Sequence, residues 1–313
     1  MRSFIPLLSR SWLGRLLIAT LVTLGNAVIC EAGAELEKTA SAKAKTEEAK
    51  PSKCQYNLFN PTPRELMREM STDRPDRTES PYTVDAGHFQ IEMDLANYTY
   101  TRVGSLRLNQ WNVAPVNFKM GLLNNVDLQI VYDGYVNQSI RVKDEELEID
   151  EKEHTSGGGD LTARVKFNVW GNDGGTTALA IMPYVKIPTN TAQLGNRFVE
   201  GGIIVPLAIE LPYGFGMGIM SEVDFLKDYE SSGYSVGFTH SVTFSRNIIG
   251  NLGGYVEFAT FVSTEKQTEW IGTFDTGLTY GLTDDIQLDC GCNFGVTRFA
   301  DDYNPFVGVS VRF

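Results

Sequence analysis

Charged side chains recur at every second position over much of this chain. Glu92, Asp94, Arg164, Lys166, Lys186, Glu222, Asp224, Glu257, Asp275, Asp289 and Arg312 each alternate with apolar neighbours. Both signs on one face allow two chemistries. The charges either neutralise one another inside a polar interior, or they line a channel and select solutes. A denser mixture stands at Asp73, Arg74, Asp76, Arg77 and Glu79, within the stretch from Ser71 to Pro81. His88 opens the first alternating run on its polar side.

Other chemistries are poorly served. His240 sits on the face of Val236, Phe238, Val242 and Phe244, whereas Ser241 points the other way. A hydrolase needs its hydroxyl on the histidine's face, so that spacing fails. Cys290 and Cys292 share a face with α-carbons about 6.5–7 Å apart, marginal for a disulfide. Neither has a histidine or cysteine at metal-ligand spacing. Gly157-Gly158-Gly159 precedes no helix and is no phosphate loop. These residues imply no cofactor, no metal site and no enzyme.

The elements that position the charges have period two. Phe89, Ile91, Met93 and Leu95 alternate with His88, Gln90, Glu92 and Asp94, and Leu161 to Val169 repeats the pattern. Twelve such runs follow: 86–100, 105–121, 125–137, 159–171, 176–188, 199–212, 214–227, 234–248, 252–264, 268–281, 285–299 and 303–313. Globular strands average about five or six residues, whereas crossing a bilayer takes about 9–11. The expected fold is an all-β, antiparallel, up-and-down transmembrane β-barrel of about twelve strands over 86–313. Tight turns at Asn124-Asn125, 171–175, Pro212-Tyr213, Gly250-Asn251 and Thr283-Asp284 alternate with other connectors, the longest at 138–158. Outer-membrane barrels have such short periplasmic turns and longer outer loops. An even strand count places both barrel ends in the periplasm. Trp111, Trp170, Trp270, Tyr98, Tyr100, Tyr135, Tyr184, Tyr213, Tyr280 and Tyr303 are candidates for the interfacial girdles.

Composition agrees with export. The 313 residues are 42% hydrophobic and 21% charged, with net charge −12, which opposes general nucleic-acid binding. Arg2, Arg10 and Arg15, the apolar core Leu16 to Leu24, and Ala32-Gly33-Ala34 predict a secretory signal over 1–34. Residues 35–60 read as a disordered periplasmic spacer, and 61–85 as an irregular segment whose prolines oppose ladder pairing. The acidic loop at 143–154 reads as a solvated charge run. The alternating C-terminal strand ending at Phe313 resembles the signal that such barrels present to their assembly machinery.

Ser71-Thr72-Asp73-Arg74-Pro75-Asp76-Arg77-Thr78-Glu79-Ser80-Pro81, with Gly87-His88-Phe89-Gln90-Ile91-Glu92 and the remainder, carries a family resemblance. It resembles bacterial outer-membrane transporters grouped under the MetA pathway of phenol degradation, over about 61–313. The resemblance implies outer-membrane lipid as the surroundings and small, aromatic or hydrophobic solutes as cargo. The candidate lumen and plug residues are therefore Asp73, Arg74, Asp76, Arg77, Glu79, His88, Glu92, Arg164, Lys166, Glu222, Glu257, Asp275 and Asp289. Residues 71–81 are expected to fold into or across the periplasmic mouth. The competing expectation is a structural or surface-interaction barrel with a closed lumen.

Overall fold

Residues 52–144, 149–228, 233–265 and 268–313 are described by the computed structural model. The expected signal at 1–34, most of the spacer and residues 145–148 of the acidic run lie outside the described residues. The strands are β1 (Phe89–Val103), β2 (Leu106–Val113), β3 (Val116–Leu123), β4 (Val126–Tyr132) and β5 (Tyr135–Asp144). Next come β6 (Ile149–Gly158), β7 (Leu161–Trp170), β8 (Thr177–Ile187), β9 (Glu200–Leu211) and β10 (Phe215–Lys227). The last are β11 (Tyr234–Ile249), β12 (Leu252–Ser263), β13 (Ile271–Thr283), β14 (Ile286–Gly295) and β15 (Tyr303–Arg312).

These segments make a closed ring of twelve antiparallel crossings. Three crossings are each divided in two, namely β2 with β3, β4 with β5, and β6 with β7. β15 pairs with β1 and closes the ring, with the Phe313 amide donating to the Phe89 carbonyl at 2.8 Å. Closure removes sheet edges, so the backbone is satisfied where lipid offers no partner. Among the described residues no helix is long and apolar enough to cross a membrane. The crossing is made by strands.

The faces are inverted relative to a globular core. Phe118, Ile130, Ile203, Phe258, Phe274 and Leu288 are exposed on the outer wall. Glu92, Lys119, Asp127, Lys166, Glu257 and Asp275 are buried inside. Trp111, Tyr135, Trp270 and Tyr303 stand exposed near the long-loop rim, and Trp170, Tyr213 and Tyr280 near the short-turn rim. Tyr184 departs from the expected girdle. It faces the lumen, where its hydroxyl meets Asp224.

Neighbouring strands break along one line. The interruptions at Ala114-Pro115, Asp133-Gly134 and Gly159-Asp160 lie side by side, and β1 bulges between Asp94 and Ala96 at the same level. Pro115 has no N–H to continue the ladder. Gly134 has φ +85°, a left-handed conformation that a side chain opposes. The bulge reverses the alternation of β1, so Tyr98 and Tyr100 stack beside Trp111 and Tyr303.

Beyond this crease the chain departs from the expected loop. Residues 138–158 are not an unpaired connector. β5 pairs with β6 from Tyr135↔Gly158 to Asp144↔Ile149, and β2 pairs along the other side of β5. Charged residues on both faces hid the strand period, because both faces of this extension meet water. Arg141 and Asp150 pair across it at 2.6 Å.

A β-carbon on Gly134 would lie 2.6 Å from the Pro115 nitrogen and 2.7 Å from the Val113 oxygen. Gly134→Val should therefore destabilise the barrel by roughly 1–3 kcal/mol, seen as a lower urea midpoint by tryptophan fluorescence in detergent. An unchanged midpoint would show that the crease relaxes freely.

Candidate functional site

Residues 71–81 enter the barrel from the short-turn rim and turn back inside it. The turn closes on itself, with the Ser71 and Ser80 hydroxyls 2.7 Å apart and the Ser80 amide donating to Asp73 at 3.1 Å. Its entry is fixed at the rim. Thr62 donates its amide to the Ala86 carbonyl at 2.9 Å. Arg68 donates to Asn124 and pairs with Asp173 at 3.1 Å. Arg64–Leu66 forms a single helical turn on this approach.

Two wall carboxylates hold the turn by its main chain. Glu92 Oε2 accepts the amides of Asp73 and Arg74 at 2.9 and 3.1 Å. Glu257 accepts the amides of Arg77 and Thr78, each at 2.8 Å. Amide donors aimed at an ionised acceptor are among the stronger hydrogen bonds. The Glu92 end is reinforced by Lys119, whose Nζ lies 2.8 Å from Oε1.

Asp73 is the charge centre. Its two oxygens pair with Lys119 and Lys166, both at 2.6 Å, and both lysine side chains are completely buried. Burial pushes the Asp73 carboxyl up, but the Lys119 and Lys166 ammonium groups outweigh it and hold it well below the ordinary range. Its stabilising contribution is therefore complete above the ordinary aspartate value and disappears only as pH falls through the depressed one. Arg74 forks onto Asp289, at 2.6 Å through Nη2, and also meets Asp94. Glu79 pairs with Arg164. Arg77 reaches Asp275 at 3.5 Å.

Two lumen-facing glycines make room. A β-carbon on Gly308 would lie 2.2 Å from the Arg74 guanidinium, and one on Gly121 would lie 2.1 Å from the Asp85 oxygen. Between the turn and the β10–β14 wall lies a cavity of about 310 Å³. Thr72, Pro75 and Asp76 line one side, and Gly216, Ser245, Gly253, Tyr255 and Thr279 line the other.

Of the sequence-derived candidates, Asp73, Arg74, Arg77, Glu79, Glu92, Arg164, Lys166, Glu257, Asp275 and Asp289 meet around this turn, and Asp76 lines the cavity. Glu222, two residues from Asp224 on the same face of β10, lies within electrostatic reach of Glu79. His88 stands apart from the turn. Its ring nitrogens lie 3.0 Å from the Phe313 oxygen and 2.8 Å from the Thr62 oxygen, at the rim. Lys119 and Asp127 were missed, although Lys119 lies between Phe118 and Met120 in the strand period.

His240 points outward, and a hydroxyl does reach it. Ser221 Oγ on β10 lies 3.1 Å from His240 Nδ1, through cross-strand pairing that spacing along one strand cannot reveal. The surrounding main-chain amides are used in the ladder. The pair satisfies two polar groups on the lipid-facing wall. Cys290 and Cys292 are free thiols.

The sequence pattern of the MetA-pathway of phenol degradation family matches residues 72–313, which span the inserted turn and the whole barrel. The chain belongs to this family. No curated protein matches it in sequence. Among solved structures it is similar to an outer membrane channel from Pseudomonas putida F1. That pair is 11% identical with TM-score 0.55, over 78% of this chain and 100% of that one. Looser likenesses are the NanC porin, 10% identical with TM-score 0.45 over 71% of this chain and 98% of that one, and the CymD monoaromatic hydrocarbon channel, 10% identical with TM-score 0.34 over 72% and 87%. The fold shared with the Pseudomonas channel is the closed β-barrel of outer-membrane type.

Asp73→Ala would leave two buried ammonium groups facing one another. Removing one partner of a buried ionic cluster costs roughly 3–5 kcal/mol, so the turn should leave its seat while the barrel survives. Limited trypsin digestion of the detergent-solubilised protein should then cut after Arg77 in the variant and not in the parent. Equal protection in both would contradict the anchoring role of Asp73.

Proposed function

We propose that this barrel is a passive channel for small solutes, with residues 71–81 acting as a plug in its lumen. The observation that carries the reading is the way the turn is held. It sits among hydrogen bonds and ion pairs beside a cavity, and such contacts exchange with water when a segment shifts. An apolar plug would have to expose its core to move. The ring of twelve crossings also encloses more space than the eight-stranded barrels that side chains fill.

The cargo we propose is small and aromatic or hydrophobic. The family description supports it, and so does an apolar patch on the lumen wall formed by Met182, Ile204 and Met220 beside Tyr184. Phe313, at the end of β15, is the residue we propose the assembly machinery reads. A closed structural barrel is the second reading, favoured by the complete burial of Lys119 and Lys166 on the β1–β8 side.

Deleting 71–80 should raise single-channel conductance in planar bilayers. Liposomes carrying the parent protein should swell with phenol-sized solutes faster than with sugars. No swelling with either solute, and no conductance even after the deletion, would favour the closed barrel.

A further inference from the structure

We infer that solutes cross on one side of the inserted turn only, along the wall of β10 to β13, and that Pro75–Arg77 is the septum they pass. This deepens the channel reading above and rests on it. The two sides of the turn differ in kind. Toward β1, β3, β4 and β7, Glu92, Lys119, Asp127, Gln129 and Lys166 are at most 2% exposed. Opening that side would strip the partners from several buried charges at once, which is strongly destabilising.

Toward β10–β13, Glu257 and Asp275 are buried too. Among the described residues, however, the turn makes one ion pair there, Arg77 with Asp275, against those of Asp73 and Glu79 with Lys119, Lys166 and Arg164 on the other side. The cavity of about 310 Å³ reaches Pro75 and Asp76 from the short-turn rim. It exists because lumen-facing positions 216 and 253 carry no side chain. A β-carbon on Gly253 would lie 2.6 Å from Thr279 Oγ1, and one on Gly216 would lie 2.9 Å from Ser245 Oγ. One residue along the turn, the Arg77 side chain is 47% exposed and reaches Asp275 at 3.5 Å. Asp275 lies four positions along β13 from Thr279, toward the long-loop rim. The cavity thus borders Pro75 and Asp76, and the part-exposed Arg77 side chain stands next along the turn. Asp275 Oδ1 is buried without a hydrogen-bond partner, and the Glu257 carboxylate is met by amides and a hydroxyl. With Asp76, they place three carboxylates beside the passage, and Arg77, Arg74 and Arg246 stand against them. Removing Arg77 from that balance leaves the passage more negative.

The test compares variants in planar bilayers under a salt gradient. Arg77→Ala should raise conductance by about twofold or more and shift the reversal potential toward cation selectivity. Gly253→Leu should cut conductance by roughly half or more by filling the cavity. If Gly253→Leu fails to give the heat-modifiable gel mobility of a folded barrel, Thr279→Phe fills the same space from β13. Unchanged conductance and reversal potential in folded variants would overturn the route, provided the 71–80 deletion conducts more than the parent. If neither the parent nor the deletion conducts, the channel reading itself fails.

Discussion

The placement of Asp73 between Lys119 and Lys166 is the constraint from which the interior follows. Two ammonium groups enclosed in one barrel repel each other and lose their hydration, and only a carboxylate between them makes that burial tolerable. Strand β1 supplies Glu92 to Lys119, but Lys166 takes its closest charge from the inserted turn. The turn is therefore part of the lumen's charge balance. Around that centre Arg74 stands against Asp94 and Asp289, and Glu79 against Arg164.

The barrel can hold this polar interior because its hydrophobic contribution lies outside. Lipid takes the place of a core, and exposed Phe118, Ile203, Phe258 and Leu288 face it. The wall needs only a satisfied backbone, which closure of β15 on β1 provides. The interior is then free of the packing demand that fills a globular protein with leucine and valine. Glycines appear where a neighbour must come close, as at Gly308 beneath Arg74.

Much of this was legible in the sequence. Period-two runs of bilayer-crossing length point to twelve crossings, and the charged alternates point inward. The dense charges of 71–81 mark the segment that the lumen receives. Three things stayed hidden, each for a physical reason. The extension of β5 and β6 beyond the crease has water on both faces, so no apolar period marks it. The bulge in β1 is one residue and changes only the phase of a pattern that continues. The partners of the turn are remote in sequence. Asp289 follows Arg74 by 215 residues and Glu257 follows Thr78 by 179. Cross-strand register pairs them, and no local pattern encodes that register. Ser221 beside His240 was hidden for the same reason.

The carboxylates that grip the turn belong to strands far apart in folding order. Glu92 stands on the first strand, Glu257 on β12 and Asp289 on β14. No partial sheet presents all three to one short loop, because the first and last strands become neighbours only when the ring shuts. Loop closure of that span must come before the contacts that reward it. The turn near the start of the barrel is thus among the last pieces to settle, and its seating reports that the circle is complete.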